Sequence, residues 1–157
     1  MEKNRLLDIT HRTLEVLFIF LFAVSLASCS LPRIVVIDDP LTPEEHINLG
    51  VIYEKKGQYD EAISEYKKAS GTLPVAYLYM GNASFLKGDL KGAEEFYKKA
   101  IREEPANADA MNNLAWLYYK WGKNLDEAEA LVKRAIEIRP ERADAYRDTL
   151  MKIEEGR

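Results

Sequence analysis

Residues 74–105 read PVAYLYMGNASFLKGDLKGAEEFYKKAIREEP, and the chain repeats this pattern on both sides. Before it stands PEEHINLGVIYEKKGQYDEAISEYKKASGTLP (43–74), and after it ADAMNNLAWLYYKWGKNLDEAEALVKRAIEIRP (108–140). Set in register, small residues recur in three columns: Gly50, Gly81 and Ala115; Ala62, Ala93 and Ala128; Ala69, Ala100 and Ala135. Large residues stand between them, Tyr53 and Tyr118 in one column and Tyr66, Tyr97 and Val132 in another. Self-similarity at a period of roughly 30–35 residues marks stacked units, each unable to bury its apolar face alone. The first small column fits where the two helices of one unit approach closely, with Ala62, Ala93 and Ala128 as small partners across the gap. Gly57, Gly88 and Gly122 fit the ends of first helices, where a left-handed residue caps cheaply. Pro74, Pro105 and Pro140 fit the ends of second helices, which proline cannot continue.

These units resemble the tetratricopeptide repeat (TPR), whose signature runs large or aromatic residue, Leu-Gly, aromatic, Ala, aromatic, Ala, Pro. Here those places hold Leu49-Gly50, Tyr53, Ala62, Tyr66, Ala69 and Pro74; then Tyr77, Met80-Gly81, Ser84, Ala93, Tyr97, Ala100 and Pro105; then Met111, Leu114-Ala115, Tyr118, Ala128, Val132, Ala135 and Pro140. The resemblance implies an all-α TPR solenoid of three helix-turn-helix repeats, at about 43–74, 74–107 and 108–140. Three departures stand out. The stretch from Ala69 to Met80-Gly81 is three residues short, which reads as a tight turn at Ser70–Leu73; Asn124 reads as a one-residue insertion; Ser84 replaces an aromatic. Residues 141–154 (ERADAYRDTLMKIE) read as a seventh, capping helix. Ala145, Leu150 and Met151 are expected to cover the last hairpin, with Arg142, Asp144, Arg147, Asp148 and Lys152 in water, as the end of a solenoid requires.

Upstream, three basic residues (Lys3, Arg5 and Arg12) precede the apolar run VLFIFLFAVSLA (16–27), followed by Cys29. That layout is a secretory signal, and the run is shorter than the roughly 18–20 residues a membrane span needs. Leu26-Ala27-Ser28-Cys29 resembles the bacterial lipobox, which implies cleavage between Ser28 and Cys29 and a diacylglycerol on the Cys29 sulfur. Residues 1–28 are thus read as signal peptide, 29–42 as lipidated tether and 43–157 as the TPR domain. The alternative is an uncleaved anchor. Ser30 in place of aspartate points to the periplasmic face of the outer membrane over the inner membrane. Within the tether, Ile34-Val35-Val36-Ile37 is an apolar run between Pro32 and Asp38-Asp39-Pro40, read as linker with some docking.

Composition removes other functions. The net charge is −4 over 157 residues, which gives no basic surface for nucleic acid. One cysteine excludes an intrachain disulfide. Past the signal a single histidine, His46, remains, at a position where the repeat places a packing residue. No His/Cys grouping suggests a metal and no glycine-rich loop suggests a phosphate or cofactor. The acid pairs Glu94-Glu95 and Glu103-Glu104 lie among lysines and read as solvated helix faces. No enzyme is expected.

The resemblance also implies where a partner binds. First helices of TPR units line a concave groove, and by register its outward positions are Glu44, Ile47, Val51, Glu54 and Lys55; Leu78, Asn82, Phe85 and Leu86; Asp109, Asn112, Trp116, Tyr119 and Lys120. Ile47, Val51, Leu78, Phe85, Trp116 and Tyr119 form an apolar set beside the amides Asn82 and Asn112, suited to a peptide or protein with apolar anchors. Some TPR domains clamp a terminal carboxylate with Lys, Asn and Arg. The corresponding positions here hold Ile47, Val51, Tyr79, Asp109 and Asn113, so chaperone-tail recognition is not expected. The reading is a lipid-anchored adaptor holding an envelope protein or peptide. A homo-oligomeric structural role, or an accessory subunit of an envelope enzyme or secretion assembly, is the alternative.

Overall fold

The structure, a computed structural model, describes residues 39–156. The signal segment, Ser28, Cys29 and the tether as far as Asp38 lie outside the described residues. Pro40–Arg157 forms one unit. Among the described residues it carries seven α-helices: α1 (Pro43–Lys55), α2 (Tyr59–Ala69), α3 (Ala76–Lys87), α4 (Leu90–Glu103), α5 (Ala108–Trp121), α6 (Leu125–Ile138) and α7 (Ala143–Glu155). A 3-10 turn, Pro140–Arg142, precedes α7. This is the expected TPR solenoid with its terminal helix.

Local chemistry sets the helix ends. Thr42 Oγ1 accepts from the Glu45 amide (3.2 Å) while Glu45 Oε2 accepts from the Thr42 amide (2.7 Å). With Pro43 at the first helical position, this reciprocal cap fixes the start of α1. Asp89 and Asn107 cap α4 and α5 by accepting from Gly92 and Ala110. Gly92 therefore lies in the first turn of α4, where a Cβ would strike the Asp89 carboxylate. Gly57, Gly88 and Gly122 all take positive φ in the hairpin turns. The third turn needs an extra residue, and Asn124 supplies it at φ 54, tolerated because a short polar side chain can visit the left-handed region.

The three-residue deletion does not tighten the turn after α2. Instead it removes the last turn of the helix: α2 has 11 residues where α4 and α6 have 14. Pro74 accordingly stands well past the end of α2, whereas Pro105 and Pro140 each follow their helix by two residues. A Ser70 hydroxyl bond to the Lys67 carbonyl (2.8 Å) closes α2 in its place.

Consecutive helices pack against each other along the chain, and α3 also meets α5. Apolar burial, worth roughly 1.5–3 kcal/mol per large side chain, falls into two clusters. One joins Ala62, Tyr66, Ala69, Ala76, Met80 and Ala83. The other runs from Ala93 and Tyr97 through Met111, Leu114, Leu117, Tyr118 and Val132 to Tyr146 and Ile153.

The terminal helix caps with a different face from the one expected. Ala143, Tyr146, Thr149 and Ile153 are buried, Leu150 is half-buried, and Ala145 and Met151 face solvent. Spacings of three, three and four residues trace one helical stripe, and the aromatic Tyr146 aligns it where the expected set lacked an anchor. At the other end Ile52 is 48% exposed, although Leu117, at the same register two repeats on, is fully buried.

Candidate functional site

The groove is built from behind. A Cβ at Gly50 would lie 2.6 Å from Cδ1 of Tyr66, and one at Gly81 would collide in the same way with Tyr97. Tyrosine rings from α2 and α4 thus fill the space the glycines leave, where Ala62 and Ala93 were expected to meet them. In the third repeat Val132 stands in place of the tyrosine, and there Ala115 replaces glycine: a shorter filler leaves room for a methyl. Both are fully buried.

Through these gaps the tyrosines reach the first helices. Tyr66 Oη donates to Glu54 Oε2 (3.1 Å), and Tyr97 Oη donates to Asn82 Oδ1 (2.9 Å). Burial holds both phenols above their usual range, with the Glu54 charge adding to it. They remain protonated donors. Asn113 Nδ2 donates to the same Asn82 oxygen (2.9 Å), and Asn112 Nδ2 approaches Asn113 Oδ1 at 3.4 Å. With its oxygen twice engaged, Asn82 turns its amide nitrogen away from these partners as a free donor.

Phe85, Leu86 and Trp116 rise beside this polar floor. Together with Glu54, Asn82, Tyr97 and Asn113 they line a pocket of about 310 Å³. Three of the eight expected groove residues, Asn82, Phe85 and Trp116, meet there. Leu78 lines a separate recess of about 390 Å³ with Val75, Asn107 and Arg139. Ile47 and Val51 lean on the first core cluster, and Tyr119 on the second. Asn112 and Tyr119 flank Trp116, whose ring meets that of Tyr119 at 5.3 Å between centroids. All eight are partly exposed. Tyr97 is the pocket residue that register alone assigned to packing; the paired glycine one helix earlier was the signal that its ring passes through.

Other acidic positions are spoken for. Asp109, expected on the groove, accepts from Tyr146 Oη (2.9 Å) and Arg139 Nη1 (3.2 Å) and pairs with Arg142, which fastens α5 to the capping helix. Glu94 is not on a solvated face. It accepts from Tyr118 Oη (2.9 Å), Lys123 Nζ (2.8 Å) and Lys98 Nζ (2.9 Å), with its side chain only 16% exposed. Burial pushes its carboxyl up, but hydrogen bonds from Lys123, Lys98 and Tyr118 outweigh that and bring the pKa down to about 2. Glu95 and Glu103 are exposed as expected, and Glu104 is half-buried, accepting from Asn107 Nδ2 (2.8 Å). His46 is buried and its Nδ1 lies 2.7 Å from Glu65 Oε2. Among the described residues no group of three metal-ligating side chains gathers, and no helix is long and apolar enough to cross a membrane.

Comparison with known proteins agrees on the repeat. Residues 84–152 and 43–70 match two family models described as tetratricopeptide repeat. BBSome complex member BBS4 from Bos taurus is 36% identical over 77 residues, which are 48% of this chain and 15% of that protein. Protein O-mannosyl-transferase TMTC2 from Homo sapiens is 33% identical over 99 residues, 59% of this chain and 12% of that protein. The chain therefore spans under one sixth of either relative's length. In three dimensions it is similar to the first TPR of Spaghetti (RPAP3) bound to an HSP90 peptide, with a TM-score of 0.66 at 24% identity, covering 76% of this chain and 96% of that one. Matched by sequence on both sides of the groove and by shape along its helices, this chain is built of tetratricopeptide repeats.

Proposed function

We propose that the chain is a lipid-anchored adaptor of the bacterial cell envelope, whose groove holds a peptide or protein through apolar anchors. The observation that carries it is the pocket of about 310 Å³, where Phe85, Leu86 and Trp116 stand partly in solvent over a floor of oriented amides. Large half-exposed aromatics beside an ordered polar floor are the makeup of an interaction hot spot. The solved Spaghetti domain, which holds an HSP90 peptide, supports a peptide ligand for this shape. The positions of a carboxylate clamp hold Ile47, Val51, Tyr79, Asp109 and Asn113, with no base among them. We read the chain as non-enzymatic on the same grounds, its lone mature histidine being buried against Glu65.

A photocrosslinking amino acid at Phe85 or Trp116 in living cells tests the groove. The expected result is one discrete crosslinked protein from both positions and none from exposed Glu95. Labelling only at random abundance-weighted proteins would sink the reading.

The membrane half rests on Leu26-Ala27-Ser28-Cys29, and Ser30 favours the periplasmic face of the outer membrane. Metabolic labelling with palmitate in the native host is expected to mark the wild-type chain, and Cys29→Ala is expected to lose all label and leave the membrane fraction. Unlabelled wild-type chain removes the anchor from the proposal.

A further inference from the structure

The groove reading leaves open what the pocket selects, and its hydrogen-bonding inventory answers in one direction. Glu54 is half-buried at the pocket wall. It receives one hydrogen bond, from Tyr66 Oη at 3.1 Å, and no lysine or arginine pairs with it among the described residues. A carboxylate offers about four acceptor sites, so most of its capacity faces the pocket. Asn113 Oδ1 has only the long 3.4 Å approach from Asn112, and Tyr97 Oη, which spends its proton on Asn82, keeps its lone pairs. Against these acceptors stand only neutral donors, the Asn82 amide, the second Asn113 amide hydrogen and the Trp116 indole N–H, so the pocket's one formal charge is negative. The walls are two aromatic rings, Phe85 and Trp116, with Leu86 at the rim.

Other charges near the groove do not cancel this one. Lys87 pairs with Asp60, and Asp109 is held by Arg139 and Arg142. Lys120 sits 5.6 Å over the Trp116 ring but does not line the pocket. Its ammonium covers one face of that indole, which leaves the pocket to the other surfaces of the ring.

We propose that the pocket seats a basic side chain, arginine or lysine, from the bound peptide. The aliphatic stem lies along Phe85, Leu86 and Trp116, as long cationic side chains do on apolar surface. The charged head meets Glu54, with Asn113 Oδ1 and Tyr97 Oη as further acceptors. Arginine fits best: its planar fork of five donors matches a carboxylate and stacks on aromatic faces. At about 310 Å³ the pocket stands at the small end of ligand sites, which run roughly 300–1,000 Å³, so it suits one side chain. The sign is opposite to that of a carboxylate clamp, consistent with the missing bases at residues 47, 51, 79, 109 and 113. The proposal rests on the groove being a peptide site.

The test is fluorescence anisotropy with the full-length chain in detergent. The probes are fluorescein-labelled peptides with leucine flanks and one central residue: arginine, lysine, citrulline, norleucine or glutamate. The arginine peptide is expected to bind about tenfold tighter than its neutral isostere citrulline, a difference of about 1.4 kcal/mol, and the glutamate peptide weakest. Added salt should narrow the gap. Glu54→Gln, which keeps an acceptor for Tyr66, is expected to bring the arginine-to-citrulline ratio near one, with far-UV circular dichroism unchanged. Glu54→Lys should make glutamate the preferred centre. If citrulline and norleucine peptides bind as tightly as arginine, this proposal fails and the apolar groove stands. If none of the peptides binds, both fall together.

Discussion

Gly81→Val is expected to destabilise the fold by about 3 kcal/mol, at the upper end of what overpacking costs. The added Cβ would lie inside contact distance of the Tyr97 ring, which is 3% exposed and has nowhere to retreat. Retreat would also pull Tyr97 Oη from Asn82, leaving a buried hydroxyl unpaired. The third repeat suggests the rescue. There Ala115 faces Val132, so Gly81→Ala with Tyr97→Val should rebuild a pairing the chain already tolerates. Urea unfolding followed by circular dichroism checks it: each single substitution should lower the midpoint, and the double variant should lose less than the sum, with a coupling of about 1–2 kcal/mol. Strict additivity would show that the glycine and the ring do not share one space.

Glu94→Ala is expected to cost about 3 kcal/mol at neutral pH. The side chain ties α4 to Tyr118 of α5 and to Lys123 of the following turn. Lys98 and Lys123, being partly exposed, can return to water, while the buried Tyr118 hydroxyl would lose its acceptor. Glu94→Gln keeps that acceptor and should cost about half as much. The pH dependence follows from the depressed carboxyl. Unfolded, Glu94 titrates near the ordinary 4.5; folded, at about 2. Its contribution is therefore fully present above about pH 4.5 and is lost as pH falls toward 2. At about 1.36 kcal/mol for each pH unit between those values, the increment is about 3 kcal/mol. The wild type should lose stability through that window more steeply than Glu94→Ala, and parallel curves would show that the contact does not hold the ionised form.

The features legible in the sequence are those written locally. Small residues at fixed intervals announced the hairpins, and glycines at the turns announced where first helices stop. Asn124 read as an insertion because it adds one residue to a turn of known length. What escaped depends on residues far apart in the chain. Glu94 looks solvated beside Lys98 and Lys99, but its other partners, Tyr118 and Lys123, lie 24 and 29 residues away. Asp109 looks outward by register until Arg139 and Tyr146 close on it from 30 and 37 residues on. The missing residues after Ala69 were countable, yet whether a helix or a turn absorbs them depends on how Ser70 and Gly71 end α2. On the capping helix, Met151 reads as a better core residue than Thr149. Tyr146 and Ile153 decide the burial stripe, and Thr149 falls on it.

Because Tyr66 and Tyr97 pass between the first helices, the rear layer of the array helps determine what the front accepts. A substitution at Tyr97 would register in a stability assay as a packing defect, and it would also release Asn82 to rotate and change which group it offers a ligand. Affinity and rigidity are thus wired together at these two positions. Retuning this protein toward another partner can begin on its back, at side chains rooted in the rear helices.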